Sequence, residues 1–289
     1  MSINVLSLFD GISCGRLALD RANIKVNKYY ASEIDKYAIK VSESNYPDII
    51  RLGDITKWKK WKIEKPDIIL AGSPCQGFSF AGKGLNFNDP RSKLFFVFID
   101  ILKHYKPKYF LLENVIMKYE HNDVISRQLG ELFQDRVRIP SFFDAGRLSP
   151  VMLNSSLVSA QNRKRLYWCN WDITIPENKR IMLKDVLESG ETNRKKSLAL
   201  IASYSNVSKN PSKSTINRYL NKHMWQLVKE KSLYRKLTVV ECERLQTVPD
   251  NYCNAVKDSK AYYALGNGWT IDIIAHILKC NKELTRRKH

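Results

Sequence analysis

Short, continuous apolar runs separated by polar, glycine-containing turns form the dominant pattern in the first part of the chain. Runs of this length without polar alternation are typical of strands that are buried on both faces. They predict strands at residues 3–8, 29–32, 49–52, 68–71 and 109–112. Apolar residues at helical spacing between these runs predict helices that end at Ala22, cover 35–45, run from 89 towards Pro107, and cover 124–133. This alternation predicts an α/β fold with a mainly parallel sheet.

The pattern changes after the last of these helices. It predicts a further strand at residues 137–145 and an extended segment at 158–168. Residues 172–235 are polar and rich in Lys, Ser and Asn, which predicts a separate small lobe. Apolar periodicity then returns: Thr238 is in position to cap a helix at 239–246, and the polar stretch 266–270 opens an apolar helix at 271–278. We therefore expect one main domain, residues 1–171 plus 236–289, that carries the lobe.

The composition of the chain indicates what kind of partner it binds. The 289 residues include 48 Lys and Arg against 29 Asp and Glu, a net charge of +19 with a pI near 9.6. Such a balance favours a polyanionic partner, above all nucleic acid, although a merely lysine-rich proteome is the alternative. The six cysteines form no CxxC pair, so neither a zinc site nor a disulfide framework is indicated. No apolar run reaches 18 residues and no basic leader is evident, so we expect an intracellular protein without membrane segments.

Cys75 directly follows the apolar run at 68–71, after Gly72, Ser73 and Pro74. The glycine and proline end the strand, so the thiol is expected at the carboxyl end of a central strand, where open α/β sheets bind ligands. A buried, inert cysteine is the alternative, because cysteine is among the most buried residue types.

The loop after the first strand contains Phe9, Asp10, Gly11 and Ser13 and leads into a helix, which is the position of a cofactor loop. Its spacing is not that of a dinucleotide fingerprint. Glu33 ends the second predicted strand, 22 residues after Gly11, where an acid meets ribose hydroxyls; the alternative is a helix-capping acid. Asp54 and Ile55 follow the third strand, where they could flank a purine ring.

Two further elements point at the same edge of the sheet. Glu113 ends the strand at 109–112, so it is expected beside Cys75; a capping or ion-paired glutamate is the alternative. Period-two alternation places Arg163 and Arg165 on one side of an extended chain, where they could bind phosphate or a carbonyl oxygen, unless they are an exposed basic edge. The glycine-containing loop 77–88 is either a closing lid or an ordinary surface loop.

The order of these motifs resembles that of the carbon-5 cytosine DNA methyltransferases. The matching segments run along nearly the whole chain and are Phe9-x-Gly11-x-x-x-Gly15, Gly72-Ser73-Pro74-Cys75-Gln76, Glu113-Asn114-Val115, Gln161-x-Arg163-x-Arg165, Arg235-x-Leu237-Thr238 with Glu243-Arg244-Leu245-Gln246, and Gly266-Asn267. Asp10-Gly11-Ile12, Ala31-Ser32-Glu33 and Val158-Ser159-Ala160 look like the animal de novo branch, which small bacterial and phage enzymes also resemble.

The resemblance implies a Rossmann-like class I S-adenosylmethionine-dependent methyltransferase fold with a small target-recognition lobe at 172–235. S-adenosylmethionine is the implied methyl donor, with no metal. The implied cofactor residues are Phe9, Asp10, Gly11, Ser13, Glu33, Asp54, Ile55, Pro74, Asn267 and Trp269. Double-stranded DNA is the implied partner of a cytoplasmic monomer, with a companion restriction endonuclease as a further possibility. The expected nucleic-acid contacts near the loop are Gln76, Ser79, Lys83 and Arg91. In the lobe, the basic composition itself predicts contacts at Arg194, Lys195, Arg218 and Lys222, and a flexible basic insertion without specificity is the alternative.

The resemblance also implies a mechanism. Cys75 attacks carbon 6 of a cytosine that has left the duplex, Glu113 protonates or hydrogen-bonds ring nitrogen 3, and Arg165, with Arg163 behind it, holds oxygen 2. The chain departs from the family where Gly268-Trp269 replaces the usual Ser-Val.

Three other functions compete with this one. A transfer-RNA cytosine methyltransferase lacks support because the Cys-Phe-Thr triplet of that branch is absent. Intact Cys75, Glu113 and Arg165 argue against a catalytically silent binding protein, and the glycine spacing argues against a nicotinamide-dependent oxidoreductase.

Overall fold

The computed structural model describes residues 2–73, 90–136, 146–222 and 224–286, and of residues 90–92 it describes the backbone alone. The strand predicted at 137–145 lies outside the described residues. In the part that is described, no helix is long and apolar enough to cross a membrane.

The fold is built on a sheet of seven strands within these ranges, in the order β3-β2-β1-β4-β5-β8-β6. The first five are parallel, and β8 runs antiparallel to both β5 and β6. The strands are β1 (Ile3–Leu8), β2 (Val26–Ser32), β3 (Ile50–Arg51), β4 (Ile68–Gly72), β5 (Tyr109–Val115), β6 (Val151–Asn154) and β8 (Lys164–Cys169), while β7 (Gln161–Asn162) leads into β8. The predicted α/β class and the parallel strands are therefore confirmed.

Helices cover both faces of this sheet. The helices of the described residues are α1 (Cys14–Arg21), α2 (Lys36–Asn45), α3 (Pro90–Tyr105), α4 (Tyr119–Leu132), α5 (Lys213–Lys222), α6 (Val239–Leu245), α7 (Asp258–Asn267), α8 (Ile271–Cys280) and α9 (Lys282–Thr285). The predicted cap of α6 is confirmed, since the Thr238 hydroxyl accepts from the Glu241 amide at 3.1 Å and the Glu241 carboxylate accepts from the Thr238 amide at 2.9 Å.

The core consists of two apolar clusters, one on each face of the sheet. Alternate residues of the same strand enter different clusters: Ile68 and Leu70 face one, Ile69 and Ala71 the other. Helices α1 and α8 cover the first face, and α3 and α4 the second. Because both faces are covered, these strands need no polar positions, which is why their sequence is continuously apolar.

Several elements were not predicted, and α7 and β6 are the two that matter most for the sheet and its edge. Helix α7 occupies residues that the sequence analysis left unassigned, so Gly266 and Asn267, expected in a loop, lie in its last turn. Strand β6 adds the edge beyond β8. Elsewhere the predicted bounds shift by a few residues: β2 begins at Val26, and α4 begins at Tyr119.

The segment 172–235 contains α5 and three short strands, β9 (Ser197–Leu198), β10 (Leu227–Glu230) and β11 (Leu233–Lys236). Strand β9 pairs with β7, and β10 and β11 form a hairpin. The Tyr204 ring packs edge-on against Tyr262 of α7, with 5.8 Å between ring centroids. The buried side chains of this segment therefore join the cluster on the α1 and α8 face of the sheet.

Candidate active site

A cavity of about 580 Å³ opens at the carboxyl ends of β1, β2, β4 and β5. Parallel α/β sheets bind their ligands at this edge. Residues from both ends of the chain line it, since α7 and the turn into α8 contribute side chains together with the β1–α1 loop. The predicted residues that it brings together are Phe9, Asp10, Gly11, Glu33, Asp54, Ile55, Glu113, Arg163, Arg165, Asn267 and Trp269.

The β1–α1 loop has left-handed backbone at every second residue, with φ of 58° at Phe9, 58° at Gly11 and 60° at Ser13. Only Gly11 adopts this conformation without steric cost, so the other two must be held by their surroundings. The buried Asp10 carboxylate holds Ser13: it accepts from the Ser13 hydroxyl at 2.5 Å and is itself fixed by the Tyr29 hydroxyl, which donates to it at 2.8 Å. Burial raises the pKa of Asp10, and these hydrogen bonds act in the opposite direction.

The Glu33 carboxylate connects this loop to the end of β2. One oxygen accepts from the Gly11 amide at 2.8 Å, and the other accepts from the amides of Ile34 and Asp35, both at 2.8 Å. A carboxylate can accept about four hydrogen bonds, so capacity remains for a ligand in the cavity. Asp54 caps the short helical turn that follows β3 by accepting from the Thr56 amide at 2.9 Å.

Glu113 lies at the cavity end of β5, between Gly72 of β4 and Tyr167 of β8. Its two carboxylate oxygens have different partners. Arg165 Nε lies 3.0 Å from Oε1, and the Trp269 indole nitrogen donates to Oε2 at 3.2 Å. A largely buried carboxylate is thus held by donors on two different elements, with one cation beside it.

Arg163 is almost fully buried behind Arg165. Its guanidinium donates to the carbonyl oxygens of Leu200 at 2.6 Å and Gly268 at 2.9 Å. Burial, followed by the charge of Arg165, lowers the pKa of Arg163 to about 10, so it remains charged at neutral pH. Arg163 therefore ties the turn before α8 to the lobe segment.

Other predicted residues are not on the cavity. The Ser13 hydroxyl bonds Asp10 and Ser42 in the interior, and Ser13 does not line the cavity. Asp10, although it lines the cavity, turns its carboxylate towards Ser13 and Tyr29. Cys75, Pro74, Gln76, Ser79 and Lys83 lie outside the described residues, as does the side chain of Arg91.

The predicted basic residues of the lobe differ in their surroundings. Arg194 is turned inward: its guanidinium lies 4.5 Å from the centroid of the Tyr219 ring and donates to the Tyr219 carbonyl at 2.9 Å. Lys195, Arg218 and Lys222 are exposed.

The cavity also includes residues that sequence reasoning missed. Lys260 and Tyr263 on α7 and Tyr37 on α2 lie on it, with the Lys260 ammonium 4.5 Å from the Tyr37 ring centroid. Asn114 donates to the Ser73 hydroxyl at 3.1 Å and joins the ends of β5 and β4. Asn114 stood in a recognised motif, whereas no pattern in the sequence distinguished Lys260 or Tyr37 from ordinary helix surface. In the described chain, no group of three or more His, Cys, Asp or Glu side chains could hold a metal ion.

A parallel sheet with an antiparallel pair at one edge, and a cavity at the carboxyl ends of its central strands, defines a class I S-adenosylmethionine-dependent methyltransferase fold. The chain also matches the family model described as C-5 cytosine-specific DNA methylase, over residues 3–225 and 170–283. It is 30% identical to the type II methyltransferase M1.ScrFI of Lactococcus lactis subsp. cremoris, over 93% of this chain and 75% of that protein. The chain therefore belongs to the C-5 cytosine-specific DNA methylase family, and the expected DNA cytosine methyltransferase class is confirmed.

Two further comparisons define the extent of this likeness. The type II methyltransferase M.NgoBV of Neisseria gonorrhoeae is 36% identical over 65% of this chain, but that match spans only 47% of the relative. The crystal structure of S. pombe Dnmt2 methyltransferase is similar in fold, with a TM-score of 0.70 at 18% identity over 97% of this chain and 98% of that one.

Proposed function

We propose that this protein transfers a methyl group from S-adenosylmethionine to carbon 5 of a cytosine that is turned out of a short DNA site, through a covalent bond between Cys75 and carbon 6. The observation that carries this proposal is the convergence of Glu113, Arg165 and the β1–α1 loop on one cavity.

The residues around the cavity fit the cofactor. A volume of about 580 Å³ is within the usual range for ligand sites and leaves room for a base beside the cofactor. Glu33 retains acceptor capacity for ribose hydroxyls, and Asp54 and Ile55 lie where they can flank the adenine. Phe9, Gly11, Asn267 and Trp269 enclose the methionine end. When bound, S-adenosylmethionine supplies an electrophilic methyl group.

The base would occupy the part of the cavity next to β5. Glu113 hydrogen-bonds ring nitrogen 3, and Arg165 holds oxygen 2, with the buried charge of Arg163 behind it. The Cys75 thiolate adds to carbon 6, and the displaced electron pair makes carbon 5 nucleophilic. After methylation a base removes the carbon 5 proton and the carbon–sulfur bond breaks. Because stacking covers both faces of a paired cytosine, this chemistry requires base flipping.

DNA recognition is assigned to the lobe at residues 172–235. The net charge of +19 favours a polyanion, and the exposed Lys195, Arg218 and Lys222 offer cations to phosphates. Gln76, Ser79, Lys83 and Arg91 are proposed to contact the DNA near the base. We propose a monomer that acts on a site of a few base pairs, and the type II relatives favour a companion restriction endonuclease.

The test is methyl transfer from labelled S-adenosylmethionine to duplex DNA, with transfer RNA as the second substrate and bisulfite mapping of the product. We expect label on DNA cytosines, and its loss in Cys75→Ser. The control is Cys280→Ser at the end of α8, which replaces another thiol outside the cavity and should retain turnover.

Three results would contradict the proposal in different ways. Full turnover by Cys75→Ser would exclude the covalent mechanism. Label on RNA alone would indicate the transfer-RNA methyltransferase, and cofactor and DNA binding without any transfer would indicate the silent binding protein.

A further inference from the structure

Trp269 links the two halves of the proposed site. Its indole nitrogen donates to Glu113 Oε2 at 3.2 Å, across 156 residues of sequence. Arg165 occupies the other oxygen, with 3.0 Å between Nε and Oε1. The charged groups that face Glu113 from neighbouring elements are Arg163 and Arg165, and Tyr167 lies beside it on β8. Unlike these residues, which lie on or next to β8, Trp269 comes from the turn before α8, and its indole is a neutral hydrogen-bond donor to Glu113.

The Trp269 ring fits a slot between two glycines. A methyl group added at Gly72 would lie 2.9 Å from the indole nitrogen and 3.2 Å from two ring carbons. A methyl group at Gly15 would lie 3.6 Å from ring carbon Cζ3. The indole therefore packs against the end of β4 and the start of α1, and both elements border the cavity.

The backbone on either side of Trp269 is also held. Arg163 binds the Gly268 carbonyl at 2.9 Å, and the Thr270 hydroxyl bonds Ser155 at 2.8 Å. The ring cannot easily rotate away, because the side chain is 8% exposed and its neighbours are buried. Its N–H is thus delivered to a fixed point, which is the position of the Glu113 carboxylate.

We infer that Trp269 is a positioning residue for Glu113: its ring borders the cofactor space while its N–H holds the carboxylate in the orientation that the cytosine ring requires. This inference rests on the proposed role of Glu113. The hydrogen bond also joins the Trp269 ring, which borders the cofactor space, to the Glu113 carboxylate, which binds the base. Displacing the indole would therefore displace the carboxylate. If Trp269 served only as a wall for the cofactor, the N–H would be dispensable.

The decisive variant is Trp269→Phe, which retains an aromatic ring and removes the donor. We expect kcat to fall about ten- to hundredfold, as for loss of a hydrogen bond to a charged group, while KM for S-adenosylmethionine stays within about twofold. Exchange of the cytosine carbon 5 hydrogen with water, measured without cofactor, should fall in parallel because it reports activation of the base alone.

The matched control is Trp168→Phe. The Trp168 indole is fully buried on β8 and donates to the Ser126 hydroxyl at 3.0 Å, on the face of the sheet covered by α4. The Trp168→Phe variant also loses an indole hydrogen bond, but one away from the cavity, so its kcat should remain near the wild-type value. A similar loss in both variants would assign the effect to general destabilisation and overturn the inference.

A double-mutant cycle tests whether Trp269 acts through Glu113. In the Glu113→Ala background, which removes the acceptor and is measured by single turnover, Trp269→Phe should cost much less than it does in the wild type. Equal losses in the two backgrounds, an unchanged kcat, or a raised KM at constant kcat would each overturn the inference. A wild-type protein that transfers no methyl group to DNA would instead refute the proposed function.

Discussion

At the scale of one residue, Asp10 belongs to a family motif, but its carboxylate stabilises the β1–α1 loop. The sequence predicted a cofactor ligand there, but its carboxylate bonds Ser13 and Tyr29, with Arg51 at 3.9 Å. The bond to Ser13 holds the left-handed residue at the helix side of Gly11. Asp10 would therefore support the cofactor site indirectly, through the shape of the loop.

Asp10 predicts a pH dependence of stability. Burial raises its pKa, so the folded protein binds this proton more tightly than the unfolded chain does. The free energy of unfolding therefore decreases as pH rises from about 4, the ordinary aspartate value, towards the raised pKa. Asp10→Asn removes this contribution, so its melting temperature relative to the wild type should increase with pH across that window.

The control for this measurement is Asp100→Asn, because Asp100 is exposed on α3. Its melting temperature should follow the wild-type curve. Parallel curves for wild type and Asp10→Asn would show that the carboxyl does not titrate differently on folding.

Helix α5 shows at the element scale how two arginines with the same predicted role can differ. Tyr219 packs the helix onto the lobe, and Arg194 stacks on that ring from outside the helix. Arg218 is exposed on the same helix, four residues before the exposed Lys222 and therefore next to it on the helix surface. The packing of one tyrosine therefore separates an arginine that supports α5 from one that is available to phosphate.

A matched pair of substitutions tests this difference. Arg194→Ala should lower the free energy of unfolding by about 1–3 kcal/mol, since it removes the stacking and the carbonyl hydrogen bond, and thus lower the melting temperature by several degrees. Arg218→Ala should leave stability unchanged, weaken DNA binding, and reduce the slope of log affinity against log salt by about 1.

Calorimetry and salt-dependent binding would measure both effects. The assignment is wrong if Arg218→Ala unfolds at a lower temperature while Arg194→Ala binds DNA more weakly at full stability.

At the scale of the whole molecule, the lobe segment and the main sheet share buried contacts. The Lys236 ammonium lies 3.6 Å from the Tyr262 ring centroid and donates to the Val207 carbonyl at 2.8 Å. Lys196 donates to the carbonyls of Ser156 and Ile181, at 2.7 and 2.6 Å. Both lysines have lowered pKa values because of burial, and each connects segments that are distant in sequence.

These contacts predict one cooperative unfolding transition. If the lobe and the sheet shared no core, they would unfold separately, but their apolar side chains form one cluster. Scanning calorimetry should show a single transition, and S-adenosylmethionine should shift all of it upward by mass action. Two transitions, or a shift of only one, would contradict this expectation.

Much of the fold followed from the sequence because its signals are local. The continuous apolar runs at 68–71 and 109–112 are typical of strands covered on both faces, and the Thr238 cap depends on residues three positions apart. The family motifs likewise indicated which residues meet at the carboxyl edge, since neighbouring parallel strands end together.

Tertiary structure alone decided which way the side chains turn. Asp10 and Arg194 face inward because Tyr29 and Tyr219 lie behind them, and no local pattern reports those neighbours. The contact between Trp269 and Glu113 exists because the turn between α7 and α8 lies at the end of β5, and Gly72 leaves room for the ring. The sequence by itself determined the buried parallel strands, the order of the family motifs along the chain and the class of chemistry. Long-range packing determined which of the candidate residues line the cavity and which ones hold it in shape.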